Sequence, residues 1–301
     1  MELCLFSVSY AGLWGQARLD LPAFIAKAAE LGYGAVMLAG KRPHLAPVDI
    51  DERSIDALTQ CLATHRVRCA AVAAYTDFSP QPAGEVPFGE MQVQYVASLA
   101  RIAAELDCTI VRVFTGYDRP QTAPLTAWNA VVASLRECAL RAADFGVTLA
   151  VQNHHDVAVD TDALLELLAD VDRPNVKLGF DAWSPALRGE NVYEAAKRAA
   201  PYTAITTNAD YLRLPRYLYR AELVNYERVQ PDLVRAVPFG DGFIDYESFF
   251  AGLCAGGFSG VASYEMCSPV RGGGSPENLD SCARTYLEWM REHVPSASAG
   301  I

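Results

Sequence analysis

The sequence predicts an α/β protein folded as one closed (β/α)8 TIM barrel, and three observations carry that prediction. Eight short runs rich in Val, Ile, Leu and Ala, near 2–8, 34–38, 68–74, 109–114, 147–152, 176–181, 202–207 and 260–265, alternate with helical stretches. That alternation marks parallel strands joined by helical crossovers. The chain has 301 residues, 51% hydrophobic and 20% charged, which suits a barrel of roughly 250 residues that stays one domain. No G-x-G-x-x-G follows the first strand, where a doubly wound nucleotide-binding sheet would want one. The barrel is expected to span 1–294, followed after Val294 by a small, polar, disordered tail at 295–301, PSASAGI.

The elements follow in order. LPAFIAKAAELG at 21–32 carries apolar residues at helical spacing and ends on Gly32, whose freedom to adopt a left-handed conformation closes the helix before strand two. The same device recurs in AADFG at 142–146, before strand five, and CAGG at 254–257, before strand eight. Residues 208–245 break the rhythm with a long excursion rich in Tyr, Arg and Pro, expected to be a functional loop between strands seven and eight.

A net charge of -11 and a pI near 4.9 exclude broad phosphate neutralisation, so nucleic acid is not an expected partner. The eight cysteines form no C-x-x-C pair and read as reduced core residues. The N-terminus lacks a basic segment followed by a long apolar one, and no stretch approaches the roughly 20 apolar residues of a membrane span. A soluble cytoplasmic protein, without a membrane partner, is expected.

Barrel chemistry sits at the C-terminal ends of the strands. Strand five ends in Gln152-Asn153-His154-His155-Asp156, strand six in Asp181, strand seven in Thr206-Thr207-Asn208-Ala209-Asp210 and strand eight in Glu265. Asp181 and Glu265 each follow an apolar run, where a carboxylate is costly to bury without a cation or donor. They form a candidate metal or acid/base pair. A helix cap or an ion pair would also account for Asp181, whereas no helix begins for several residues after Glu265. Neighbours on an extended chain point oppositely, so His154 alone, not His155, is expected in the site as a neutral hydrogen-bonding or proton-transfer group. Arg213 and Arg216, in the long excursion, are candidates for holding a substrate carboxylate or phosphate. Arg271, in the RGGGS run at 271–275, is a candidate for an anion, although a turn accounts for the run nearly as well. Aromatics are dense near the presumed mouth, Tyr75 and Trp183 among them, and such rings stack on sugar faces.

Taken together and in order, NHHD, FDAWSP, NADY, GDGFIDY and YEMCSP resemble the sugar phosphate isomerase/epimerase superfamily with its xylose-isomerase-like barrel. The resemblance covers most of the chain and implies one divalent metal held by a Glu, an Asp, a His and a Glu from strands five to eight. Asp181 and Glu265 match. Gln152 stands for the first Glu, and the His falls within Thr206 to Asn208. The resemblance therefore implies Gln152, Asp181, Asn208 and Glu265 as ligands to Mn²⁺ or Mg²⁺, with weakened affinity because neutral oxygens replace a carboxylate and an imidazole. Glu265, His154 and Gln152 become the expected catalytic residues, His154 compensating for the base that Gln152 cannot be.

The expected activity is proton abstraction next to the carbonyl of a sugar, keto-sugar or cyclitol, giving isomerisation or epimerisation. One alternative is β-elimination by a lyase or dehydratase on a keto-sugar or glycoside, which needs no second base. Another is a barrel that binds a ligand without turnover. An endonuclease is not expected, because Ser184 stands where such members show a His three residues after the Asp. The partner is a small carbohydrate-like substrate, and the superfamily's frequent dimers and tetramers allow a homo-oligomer.

Overall fold

The computed structural model describes residues 1–81 and 84–294; the tail expected at 295–301 lies outside them. Eight parallel strands close into a barrel: β1 (Glu2–Phe6), β2 (Ala35–Ala39), β3 (Arg68–Ala73), β4 (Ile110–Val113), β5 (Thr148–Gln152), β6 (Val176–Gly179), β7 (Thr203–Asn208) and, after an inserted pair, β10 (Val261–Tyr264). The spatial order β1-β10-β7-β6-β5-β4-β3-β2 makes every chain neighbour a barrel neighbour, the inserted pair aside.

Alternation along each strand divides the core. Leu3, Leu5, Val36, Leu38, Val72, Val111, Leu149, Val151 and Leu178 face outward and pack in one cluster with the helices. Cys4, Phe6, Ala35, Met37, Ala71, Ala73, Ala150, Ile205 and Val261 face the barrel axis in a second cluster. Many interior positions are Ala, so the floor is filled by a few large side chains. This period of two, continued past the strand ends, decides which side chains reach the mouth.

Helices form where expected. α1 (Leu21–Leu31) starts at Asp20, whose carboxylate accepts from the Ala23 N–H at 2.9 Å, and stops at Gly32 with φ 91°. α9 (Pro276–His293) starts at Ser275 and packs on α1 and, through Tyr286, on β10; Tyr10 donates to its Asp280 at 2.7 Å. The long excursion differs from the expected loop. It is a two-stranded antiparallel hairpin, β8 (Asp210–Arg220) and β9 (Asn225–Val237), standing largely in solvent. Tyr, Leu and Val recur in both strands and favour extended pairing. Pro215, which suggests a loop, falls at the register shift between Leu214 and Arg216, where no ladder donor is required. Among the described residues no helix is long and apolar enough to cross a membrane.

Candidate active site

A cavity of about 390 Å³ opens at the C-terminal end of the barrel. Its lining follows from strand parity: Val8 beyond β1, Lys41 beyond β2, Tyr75 beyond β3, Arg112 on β4, Gln152 on β5, Asp181 beyond β6, Thr207 on β7 and Glu265 beyond β10. Aromatic walls from Trp14, Phe114, Trp183 and Tyr211 rise above this ring.

The strand order polarises the ring. Gln152, Asp181, Thr207 and Glu265 stand on four consecutive strands and form an acidic half. Asp181 is 3% exposed; its Oδ2 accepts from Gln152 Nε2 at 2.7 Å, and its Oδ1 accepts from the Trp183 N–H at 3.1 Å, at the start of α6 (Trp183–Arg188). The residue thus accepts from the first N–H of a helix and faces the cavity at once. Burial, together with the nearby Glu265 charge, pushes its carboxyl up to about 7. Burial also raises Glu265 above the usual carboxylate range, against the opposing pull of the Arg112 charge. Cys267 donates to Glu265 Oε1 at 3.4 Å and itself lies 3.4 Å from the Tyr211 hydroxyl. Gln152 Oε1 is buried without a hydrogen-bond partner.

Both histidines enter the cavity, contrary to the expectation that only His154 would. β5 ends at Gln152, the His154 N–H turns back to the Gln152 carbonyl at 2.8 Å, and His155 takes φ 70°. The extended-chain argument no longer applies once the backbone leaves the strand. His154 Nδ1 lies 2.8 Å from the His155 N–H, which donates to it, and 2.8 Å from His155 Nδ1. An Nδ1 that accepts leaves the proton on Nε2. Burial, with the neighbouring His155 and Arg112 charges, depresses His154 to about 3, and burial with Arg112 depresses His155 to about 4. His154 is therefore a neutral donor rather than a free base.

Other expected residues lie elsewhere. Asn208 has the outward parity: its amide donates to the Ser263 carbonyl and to Tyr286 Oη, both at 3.1 Å, toward α9. Thr207, one residue earlier, faces the cavity instead. Arg213 and Arg216 are exposed on the hairpin, the first 3.8 Å from Asp232 and the second donating to the Pro231 carbonyl at 3.3 Å. Arg271 is exposed 3.8 Å from Asp241, and its glycine run is a turn tied down by the Asn278 amide, which donates to the Arg271 and Gly273 carbonyls. None of these three arginines lines the cavity. Tyr75 and Trp183 do.

A family model described as xylose isomerase-like TIM barrel matches residues 25–293. The chain belongs to this family. Solved structures similar to it, all below the identity at which more than fold is shared, include the probable 3-DHS dehydratase AsbF from Bacillus anthracis (15% identity, 97% of this chain and 99% of that one, TM-score 0.72). An IOLI protein with a bound zinc atom gives 19%, 97% and 99%, with TM-score 0.74. D-psicose 3-epimerase with D-tagatose from Clostridium cellulolyticum H10 gives 17%, 98% and 99%, also at 0.74. A comparison with curated protein sequences returned no match.

Within this xylose isomerase-like barrel the sequence reading missed Arg112 and Lys41. Arg112, 2% exposed, donates to the Ala74 carbonyl at 2.9 Å and stacks 3.9 Å from the Phe114 ring centroid. Gly179 lies beside it: a Cβ there would only touch Arg112 Cγ, at 3.5 Å, and would press on the Ala150 carbonyl at 3.3 Å. The signal was present: an arginine inside the apolar run IVRVF, at the interior parity.

Proposed function

We propose that this chain is a sugar isomerase or epimerase that removes a proton next to the carbonyl of a small polyhydroxylated substrate, with Glu265 as the base. The family supports a sugar-modifying barrel. The observation that carries the finer reading is the acidic half of the cavity, where Glu265, Asp181 and the unpaired Gln152 oxygen share one enclosed, aromatic-walled space. A carboxylate made more basic by burial, with the Arg112 charge opposing part of that rise, suits proton abstraction near neutral pH. In the metal-free site Asp181, poised near 7, holds a proton for a substrate oxygen, and His154 Nε2–H orients another. Trp183 and Tyr75 exclude water and seat the carbon skeleton.

The donor set also fits a hard divalent cation. Among the described residues no group of three or more His, Cys, Asp and Glu is placed to hold one, but the buried, unpartnered Gln152 Oε1 is an acceptor that a cation would satisfy. Asp181, Glu265 and Gln152 would hold Mn²⁺ or Mg²⁺, with Asn208 replaced by Thr207 as the strand-seven oxygen. When bound, such an ion supplies Lewis-acid polarisation of the substrate carbonyl.

Gln152 favours a second reading, β-elimination. No second carboxylate stands on β5 to reprotonate the opposite face, and in the metal-free site a protonated Asp181 suffices for a departing hydroxide: the C–H bond breaks to Glu265, the C=C bond forms, and the C–O bond breaks as Asp181 delivers its proton to make water. Glu265→Gln tests both readings against a panel of ketoses and keto-acids, with and without Mn²⁺. Loss of about 10²–10⁴-fold in kcat with the fold intact supports Glu265 as base, isomer or enone product then separates the two, and an unaltered rate would overturn both.

A further inference from the structure

The other half of the cavity carries an observation that proton transfer does not use. Lys41, Tyr75 and Arg112 stand on the consecutive strands β2, β3 and β4, opposite the carboxylates. Arg112 is almost fully buried, yet no carboxylate lies within 4.0 Å of it among the described residues, and its Nε has no hydrogen-bond partner. Tyr75 Oη is likewise buried, makes no well-formed hydrogen bond, and lies beside the Arg112 guanidinium. The Lys41 ammonium sits 3.6 Å above the Tyr75 ring centroid, also without an ion pair among the described residues. By contrast, Arg213 and Arg271 each lie within reach of an acidic residue.

Two cations held together in one enclosed wall, with no carboxylate at ion-pair distance among the described residues, repel one another and are costly to desolvate, and the more distant Glu265 charge offsets only part of that cost. Burial and the Arg112 charge accordingly lower the Lys41 ammonium below its ordinary range. Such an arrangement is relieved by an anion from outside, and Arg is the side chain suited to hold an oxyanion by parallel N–H bonds. The carboxylates across the ring act on these cations only from beyond ion-pair distance: Asp181 is bonded to Gln152 and Trp183, and Glu265 accepts from Cys267.

We infer that the ligand of this cavity is a polyhydroxylated compound bearing one oxyanion, a carboxylate or a phosphate, held by Arg112 and Lys41 with the Tyr75 hydroxyl. The inference rests on the proposed reading of the cavity as the substrate site and adds the substrate's charge. The anion lies on the β2–β4 wall, which leaves the reacting carbons toward Glu265 and Asp181. The sequence placed this role on Arg213 and Arg216; the structure assigns it to the cations inside.

Calorimetric titration of the full chain, with Mn²⁺ added, tests it using D-glucuronate, D-glucose 6-phosphate and D-glucose as probes. At least one anion should bind about tenfold or more tightly than D-glucose. The tighter of the two identifies carboxylate or phosphate. Arg112→Met and Lys41→Met should each reduce that preference, while Glu265→Gln should keep it even with turnover abolished. A retained preference in an inactive or wrongly assigned Glu265 variant thus separates failure of the base assignment from failure of the anion site. Equal affinity for all three probes, or a preference surviving both cation variants, would overturn the inference. Should Arg112→Met not fold, by near-ultraviolet circular dichroism, Lys41→Met decides alone.

Discussion

Asp181→Asn gives the sharpest test of whether the acidic half of the cavity stores free energy for function. The folded protein keeps a proton on Asp181 up to about pH 7, whereas its ordinary value is 3.8. Between those values the folded state binds more protons than the unfolded chain, so stability falls as pH rises through the window. The displacement corresponds to about 4 kcal/mol, a penalty fully present above pH 7 and absent below the unfolded value. The substitution removes the charge but keeps the oxygen that accepts from the Trp183 N–H at 3.1 Å. Its new amide group faces Gln152, which can rotate its unpartnered oxygen into the contact. In urea unfolding with EDTA, the variant should therefore be more stable than the wild type by up to about 4 kcal/mol at pH 8 and by only about 1–2 kcal/mol at pH 5. Mn²⁺ should stabilise the wild type and not the variant. A variant less stable by the same amount at both pH values would show that Asp181 is a helix cap with an ordinary titration, and would refute the reasoning.

Further outcomes follow from the same geometry. Gln152→Glu places a carboxylate 2.7 Å from Asp181 Oδ2, so it should destabilise the metal-free protein by about 1–3 kcal/mol and bind Mn²⁺ more tightly, as thermal unfolding with and without the ion would record. Arg112→Met removes the charge that opposes the upward shift of Glu265, so the acidic limb of the kcat profile should move to higher pH. With His154 and His155 depressed to about 3 and about 4, His154→Phe should lower the rate without altering the profile between pH 5 and 8; a lost limb there would make His154 the titrating group. Gly242→Ala would drive a Cβ to 1.8 Å from Asp210 Oδ1, breaking the bonds from the Gly240 and Gly242 N–H groups to Asp210 Oδ2 at 3.0 and 2.9 Å, and should cost roughly 2–4 kcal/mol in denaturant unfolding.

The barrel was legible because its cause is local and repetitive. Each strand is a short apolar run bounded by turn residues, and the Gly32 and Gly146 stops act through their own backbone, with φ of 91° and 67°. Asp181 and Glu265 were legible for a related reason, since a carboxylate directly after an apolar strand is held at the barrel mouth, where burying it is costly unless a ligand, cation or donor meets it. Asn208 shows the limit: it and Thr207 share the strand-seven end, and only the parity fixed by pairing with β10, Ser263 to Thr207 and Tyr264 to Asn208, turns one to the cavity and the other to Tyr286. His155 was missed because a left-handed residue reverses a rule that holds only in extended chain. Arg213, Arg216 and Arg271 were drawn to the site by charge and position after a strand, but the hairpin carries the first two outward and the glycine turn leaves the third beside Asp241. Arg112 reads from sequence only to someone who counts the parity of IVRV and notices that an arginine falls inside.

The central claim, removal of a carbon-bound proton at Glu265, is tested most directly by following solvent deuterium into the substrate by proton NMR, with Mn²⁺ and a keto-sugar acid or phosphate that the protein binds. The wild type should wash deuterium into the carbon next to the carbonyl, and Glu265→Gln should bind the same compound without exchange. Exchange at an equal rate in the variant would place the base elsewhere, and tight binding without exchange in the wild type would mean a barrel that holds its ligand and does not turn it over.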